Sequence, residues 1–232
     1  MTRPEQPFLG ILMLDTRFPR IPGDVGNPRT WDFPVRYATV SGATPEAIVC
    51  GDMEPFVRAF IAEGRKLVAQ GCTGIATTCG FLTLIRPRLK QALGVPVAAS
   101  ALEQGGQVAA MLPSGSRVAV LTISAGSLGA AHLAAAGLQD DTPVHGMEGS
   151  GFARSILGNE MTLDVENARC EMVAAGLELV RSQSDVGAII LECTNMAPYA
   201  ADIARATGCP VYSIHTYLTW FYAALVPPVF GS

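Results

Sequence analysis

With 232 residues, 49% of them hydrophobic and only 16% charged, the chain has enough apolar material for a sizeable core and too few charges for a disordered protein. A formal net charge of −4 with no Lys/Arg cluster argues against a nucleic-acid partner. The 24 glycines and 16 prolines follow no period, which excludes collagen-like and low-complexity readings.

The first residues, "MTRPEQPFLG", lack the apolar stretch of a secretion signal, so a cytoplasmic location is expected. An apolar run at 9–14 reads as the first strand. The stretch 16–33, "TRFPRIPGDVGNPRTWDF", is long for a connection and reads as a functional lid or a linker. Further strands are expected at 35–40, 74–78, 95–98, 118–123, 144–147, 186–191 and 211–213. Helical patterns fill 53–70, 81–92, 100–111, 126–136, 163–181 and 196–206. Val-, Ile- and Ala-rich strands separated by helices predict a parallel α/β architecture. The uncharged tail from Cys209 to Phe230 carries Ser213, His215, Thr216, Thr219 and three prolines. It reads as a strand and a buried helix, and no membrane partner is expected.

An internal repeat organises these elements. "GIATTCGF" and "AIILECTNM" both read as strand, cysteine, helix, and "GVPVAAS" and "GCPVYSI" follow the respective helices. From Cys79 to Pro96 is 17 positions, and so is Cys193 to Pro210, so one offset of 114 superimposes both corners and both following strands. The expected architecture is two similar α/β lobes. Residues 1–99 with 210–232 form the first, the terminal helix returning to close it, and residues 100–209 form the second.

Of six cysteines, Cys50, Cys72, Cys170 and Cys209 read as small buried hydrophobes. The absence of any Cys-x-x-Cys pair, with only three histidines, gives no zinc spacing. Cys79 and Cys193 differ because each stands at the carboxyl end of a strand, where open parallel sheets bind ligands. A helix start behind each thiol is expected to lower its pKa toward neutrality, fitting it for acid–base work. Two such thiols from opposite lobes would remove a proton from one face of an α-carbon and return one to the other. The enolate-like intermediate would lean on the hydroxyls of Thr77, Thr78 and Thr194 and on the Asn195 amide.

These corners resemble the cofactor-independent aspartate/glutamate racemase superfamily, which includes hydantoin racemases, maleate isomerases and arylmalonate decarboxylase. The resemblance covers nearly the whole chain. It implies two pseudo-symmetric lobes, a cleft site between them, no cofactor, and a catalytic pair at Cys79 and Cys193. It also implies a polar group at the end of the first strand, matched by Asp15 with Thr16 beside it, and a Cys-Thr at the second corner, matched by Cys193-Thr194. The chain departs from the amino-acid racemases at Gly80 and Phe81, where Asn and Thr are usual, and at Asn195, where His or Glu is usual. Phe81 adds an apolar wall, which turns the substrate away from free aspartate or glutamate. The decarboxylase branch keeps only the second-lobe cysteine.

Weaker candidates complete the list. Ser124 ends the strand equivalent to the first and either touches substrate or caps a helix. Glu192 precedes Cys193 and, by strand alternation, should miss the cleft. His215 reads as a buried core histidine and Arg29 as a solvated loop residue. The expected function is a cofactor-independent amino-acid racemase, similar to the aspartate/glutamate racemases, with the two cysteines as acid and base on opposite faces of the α-carbon of a small carboxylate or hydantoin-like substrate, and no metal. Alternatives are hydantoin racemisation, a maleate-type cis–trans isomerisation with a nucleophilic cysteine, and, outside enzymes, a two-lobed small-molecule binding protein. Homo-oligomerisation is left open.

Overall fold

The computed structural model describes residues 7–229. Among the described residues eight parallel strands form two four-stranded sheets. The first holds β1 (Phe8–Leu14), β2 (Val35–Val40), β3 (Cys72–Thr77) and β4 (Val97–Ala98) in the order β2-β1-β3-β4. The second holds β5 (Arg117–Thr122), β6 (Val144–Gly146), β7 (Val186–Leu191) and β8 (Val211–Tyr212) in the order β6-β5-β7-β8. The orders are the same after renumbering. Both sheets even carry a register shift at one place, between Phe8 and Leu9 against β3 and between Arg117 and Val118 against β7.

Among the described residues the helices are α1 (Pro45–Val49), α2 (Val57–Ala69), α3 (Arg86–Leu93), α4 (Gly105–Met111), α5 (Ala130–Ala136), α6 (Gly151–Leu157), α7 (Val165–Ser182), α8 (Ala200–Thr207) and α9 (Ile214–Leu225). They lie where the apolar period is helical. In α2 the buried residues Val57, Phe60, Gly64 and Leu67 make one stripe against the first sheet. The Gly-x-Pro-Val corners have a definite job. Gly94 and Gly208 end α3 and α8 in the left-handed conformation, at φ 68° and 72°. The carbonyls of Pro96 and Pro210 then accept the N–H groups of Ile75 and Ile189, which starts β4 and β8.

The placement of residues 210–232 needs correction. β8 pairs with β7, so residues 211–212 belong to the second sheet, as the 114 offset from β4 requires. Only the helix behind it leaves the lobe: α9 lies on β3, where Phe221 and Leu225 cover Gly74. Residues 230–232 lie outside the described residues. The lobes are joined by a buried polar cluster. Arg86 pairs with Glu103 at 3.2 Å and donates to the Ala135 carbonyl, while the Tyr217 hydroxyl donates to Glu103 at 2.8 Å. Among the described residues no helix is long and apolar enough to cross a membrane.

Candidate active site

Strands β3 and β7 end side by side in the space between the lobes. Each is followed by two residues, Thr78-Cys79 or Glu192-Cys193, with the cysteine extended (φ −152° or −72°), and then by a 3₁₀ helix, Gly80–Ile85 or Thr194–Tyr199. The expected α-helices start only at Arg86 and Ala200. Both thiols are buried, each 7% exposed, and they are close enough for a charge on Cys79 to act on Cys193. The corners are stitched together: the Thr194 hydroxyl donates to the Thr78 carbonyl at 2.8 Å. Thr78 is itself anchored, its Oγ1 accepting the Leu14 N–H at 3.0 Å. Thr77 donates to the Ala99 carbonyl at 2.6 Å, so its hydroxyl serves the fold.

The offset of 114 places Glu192 where the first lobe has Thr78, and here strand alternation misled. Glu192 is 1% exposed and faces the site. β7 has ended at Leu191, although the Glu192 N–H still bonds the Leu121 carbonyl. The carboxylate accepts the Thr122 hydroxyl at 2.7 Å and the N–H groups of Ile123 and Gly80. A Cβ added at Gly80 would fall 2.3 Å from Glu192 Oε1, so the first corner closes on this carboxylate because Gly80 has no side chain. Burial raises the Glu192 pKa to about 7.

The expected lowering of the thiol pKa values is reversed. Burial, followed by the Glu192 charge, pushes both thiols up. The N–H groups of Phe81 and Leu82 at Cys79, and of Asn195 at Cys193, oppose this without overcoming it. Asp24 adds to the effect on Cys193.

Asp24 belongs to the long loop 16–33, which folds over the second corner. The Asn195 amide donates to Asp24 Oδ2 at 2.6 Å, and its Oδ1 accepts the Cys193 thiol at 3.5 Å. Asp24 also takes the Arg20 guanidinium at 2.7 Å and the Gly26 N–H at 2.7 Å. Gly23 packs on Pro198, and the Trp31 indole donates to the Val25 carbonyl. The loop's turn chemistry was visible in the sequence, but nothing local marks Asp24 as a partner of Asn195, 171 positions away.

The other candidates are distributed as follows. Phe81 is buried against the second lobe, edge-on to His132 at 5.0 Å. Asp15 spends its carboxylate on the Gly42 N–H at 2.9 Å, and Thr16 accepts from Arg20. Ser124 accepts the Ser127 N–H and caps a turn before α5. His215 is exposed and stacks on Trp31, so it is not the buried histidine expected; Arg29 is exposed. Cys50 and Cys170 are exposed rather than buried, Cys209 is half-buried and Cys72 is buried. Among the described residues no cluster of His, Cys, Asp and Glu converges as a metal site.

No protein-family model matches the chain. By sequence it is similar to dimethylsulfoniopropionate lyase of Durusdinium sp. clade D, 28% identical over 96% of this chain and 77% of that protein. It is also similar to dimethylsulfoniopropionate lyase 7 of Emiliania huxleyi (strain CCMP1516), at 28% identity over 98% of this chain and 70% of that protein. By fold it is similar to a variant of arylmalonate decarboxylase, with TM-score 0.65, 16% identity, and coverage of 94% of this chain and 93% of that one. Allantoin racemase from Pseudomonas fluorescens gives 0.60, 16%, 94% and 90%. A glutamate racemase from Bacillus anthracis gives 0.59, 16%, 94% and 82%. Its relatives are thus enzymes: lyases by sequence, a decarboxylase and racemases by fold.

Proposed function

The chain has the fold of the aspartate/glutamate racemase superfamily, and on that premise we propose that it is a lyase that removes an α-proton from a small carboxylate and expels a cationic sulfonium group from the neighbouring carbon. Dimethylsulfoniopropionate is the substrate this reading names. The observation that carries it is the sign of the charge around the thiols. Glu192, which has no cationic partner, raises both thiols, and Asp24, paired with Arg20, adds to the effect on Cys193. A dianionic substrate would meet repulsion there. A zwitterion with a positive sulfonium next to the reacting carbon would not.

The same cation works against the raising of the thiols. A positive charge about 5 Å from a thiolate, in surroundings of effective dielectric about 20, is worth roughly 3 kcal/mol, about a hundredfold in thiolate population. Substrate binding thereby offsets part of the effect of burial. Cys79, with two N–H groups directed at it, is the base. Cys193 keeps its proton, which it donates to Asn195. The Cys79 thiolate takes the α-proton, and the C–H electrons become the new C=C bond. The C–S bond breaks with its pair on sulfur, giving neutral dimethyl sulfide and acrylate. The proton on Cys79 then returns to solvent.

A second reading, racemisation, is favoured by one observation: the two thiols occupy equivalent positions in the two lobes. It shares the proton abstraction and differs in the fate of the carbanion, which Cys193 would reprotonate. Incubating the protein with dimethylsulfoniopropionate in heavy water tests both. The lyase reading expects dimethyl sulfide in the headspace and acrylate by NMR. Failure to release sulfide, with deuterium entering the inverted α-carbon of a chiral carboxylic acid supplied in a parallel heavy-water incubation, would overturn it in favour of racemisation.

A further inference from the structure

A buried carboxylate sits in the candidate site and gives or takes no proton in the chemistry just described. Glu192 is held on three sides, by the Thr122 hydroxyl, the Ile123 N–H and the Gly80 N–H, and is 1% exposed. It spans the lobes, since Thr122 ends β5 in the second while Gly80 begins the Cys79 corner in the first. Buried acids without a cationic partner are rare because each costs several kcal/mol to desolvate. The groups that hold Glu192 are all neutral donors. The titratable groups of this region are Cys79 on the facing corner, Cys193 on its own, and Asp24 on the loop beyond Cys193, already paired with Arg20.

We propose that Glu192 is a positioning residue that shares one proton with the Cys79 thiol, so that the site carries a single negative charge either on the carboxylate or on sulfur. The inference rests on the two-thiol reading of the site and not on the identity of the substrate. The exchange is balanced: the S–H bond breaks with its electrons left on sulfur, and the proton forms an O–H bond on Glu192. A second negative charge in the same buried volume is thereby avoided, and a thiolate is reached without exporting a proton to water. The Gly80 contact serves the same end. It ties the Cys79 corner to the acid that takes its proton, and any side chain at position 80 would part them.

The exchange has a signature that needs no substrate. Once the shared proton is the only one left, the ratio of thiolate to thiol no longer depends on pH. Cys79 alkylation by iodoacetamide, followed by peptide mass spectrometry, should therefore level off in wild-type protein above about pH 7, where burial places Glu192. In Glu192→Gln the carboxylate is gone, and the rate should keep climbing about tenfold per pH unit until the thiol itself has titrated. Loosening of the fold would raise the rate at every pH and leave the slope alone. A wild-type rate that climbs through pH 7–9, or a Gln variant that levels off where wild type does, overturns the proposal. Thr122→Val guards against a Gln variant that does not fold. It strips one donor from the carboxylate and raises its proton affinity, so the plateau should remain and stand higher; a lower or unchanged plateau counts against the exchange. Loss of sulfide release with these profiles intact would instead refute the lyase reading alone.

Discussion

Gly80→Ala tests the joint between the two corners. The added Cβ would lie 2.3 Å from Glu192 Oε1 and 2.6 Å from the Glu192 backbone oxygen. The side-chain oxygen could swing aside, but the backbone oxygen belongs to a residue whose N–H is bonded to the Leu121 carbonyl of β5, so it moves only with that backbone. Restoring an ordinary contact from about 3.4 Å requires the Cys79 corner to retreat by roughly 1 Å, and a misplacement of that size costs about a hundredfold in rate. Overpacking a closed interior adds about 1–3 kcal/mol of instability, equivalent to roughly 2–12 °C in Tm for a chain this long. Gly80 has no left-handed backbone requirement, so the penalty is steric and not conformational. The assay is kcat for sulfide release at saturating dimethylsulfoniopropionate, alongside a thermal melt by circular dichroism. Gly129→Ala is the control, because its Cβ would meet nothing within 4 Å. Wild-type kcat and Tm in Gly80→Ala would refute the close approach of the two corners, and with it the assignment of Glu192 to the site.

Cys79→Ser should reduce sulfide release by at least a thousandfold, whereas Cys193→Ser, at a thiol that keeps its proton in a hydrogen bond to Asn195, should cost far less, and the double variant should match Cys79→Ser; steady-state kinetics of the three variants check this. Glu192 is raised from its ordinary carboxylate value to about 7 in the folded chain, so folding binds an extra proton between about pH 4.5 and 7. That contribution is complete below the unfolded value and is lost as pH rises through 7. Urea unfolding should accordingly show Glu192→Gln more stable relative to wild type at pH 8 than at pH 4.5, by up to about 3 kcal/mol. Asp24→Ala removes the acceptor of Asn195 and the partner of Arg20, so limited proteolysis should cut the 16–33 loop faster and Cys193 should alkylate sooner. In wild-type protein near neutral pH, iodoacetamide should reach exposed Cys50 and Cys170 before buried Cys79 and Cys193, as peptide mass spectrometry will show.

The two sheets and both cysteine corners were legible because strand, corner and following strand are encoded locally and repeated. Gly94 and Gly208, each followed two residues later by proline, mark the same helix end in both lobes. The short α1 and α6 escaped because five and seven residues show too little of a helical period, although Thr44 and Ser150 cap them in the ordinary way. The state of the thiols escaped for a different reason. A strand-to-helix corner says what lies behind a cysteine but not how deeply the opposite lobe buries it. Glu192 was set aside by a rule that holds within a strand and fails at its first residue beyond. Asp24 depends on contacts across 171 positions, which no window of sequence contains.

Thr78 in one lobe stands where Glu192 stands in the other. An evenly matched pair of thiols could not tell the two hydrogens of a CH₂ group apart, because turning the substrate over would restore the same surroundings. Here one corner carries a neutral hydroxyl and the other an acid, and only the Cys193 side is covered by Asp24 and Asn195. The two faces of a bound propionate are therefore handed, even though the molecule itself is not. With Cys79 as sole base, a substrate deuterated on one face of its α-carbon should give acrylate that has lost the label completely, and its mirror-image isotopomer should give acrylate that has kept it.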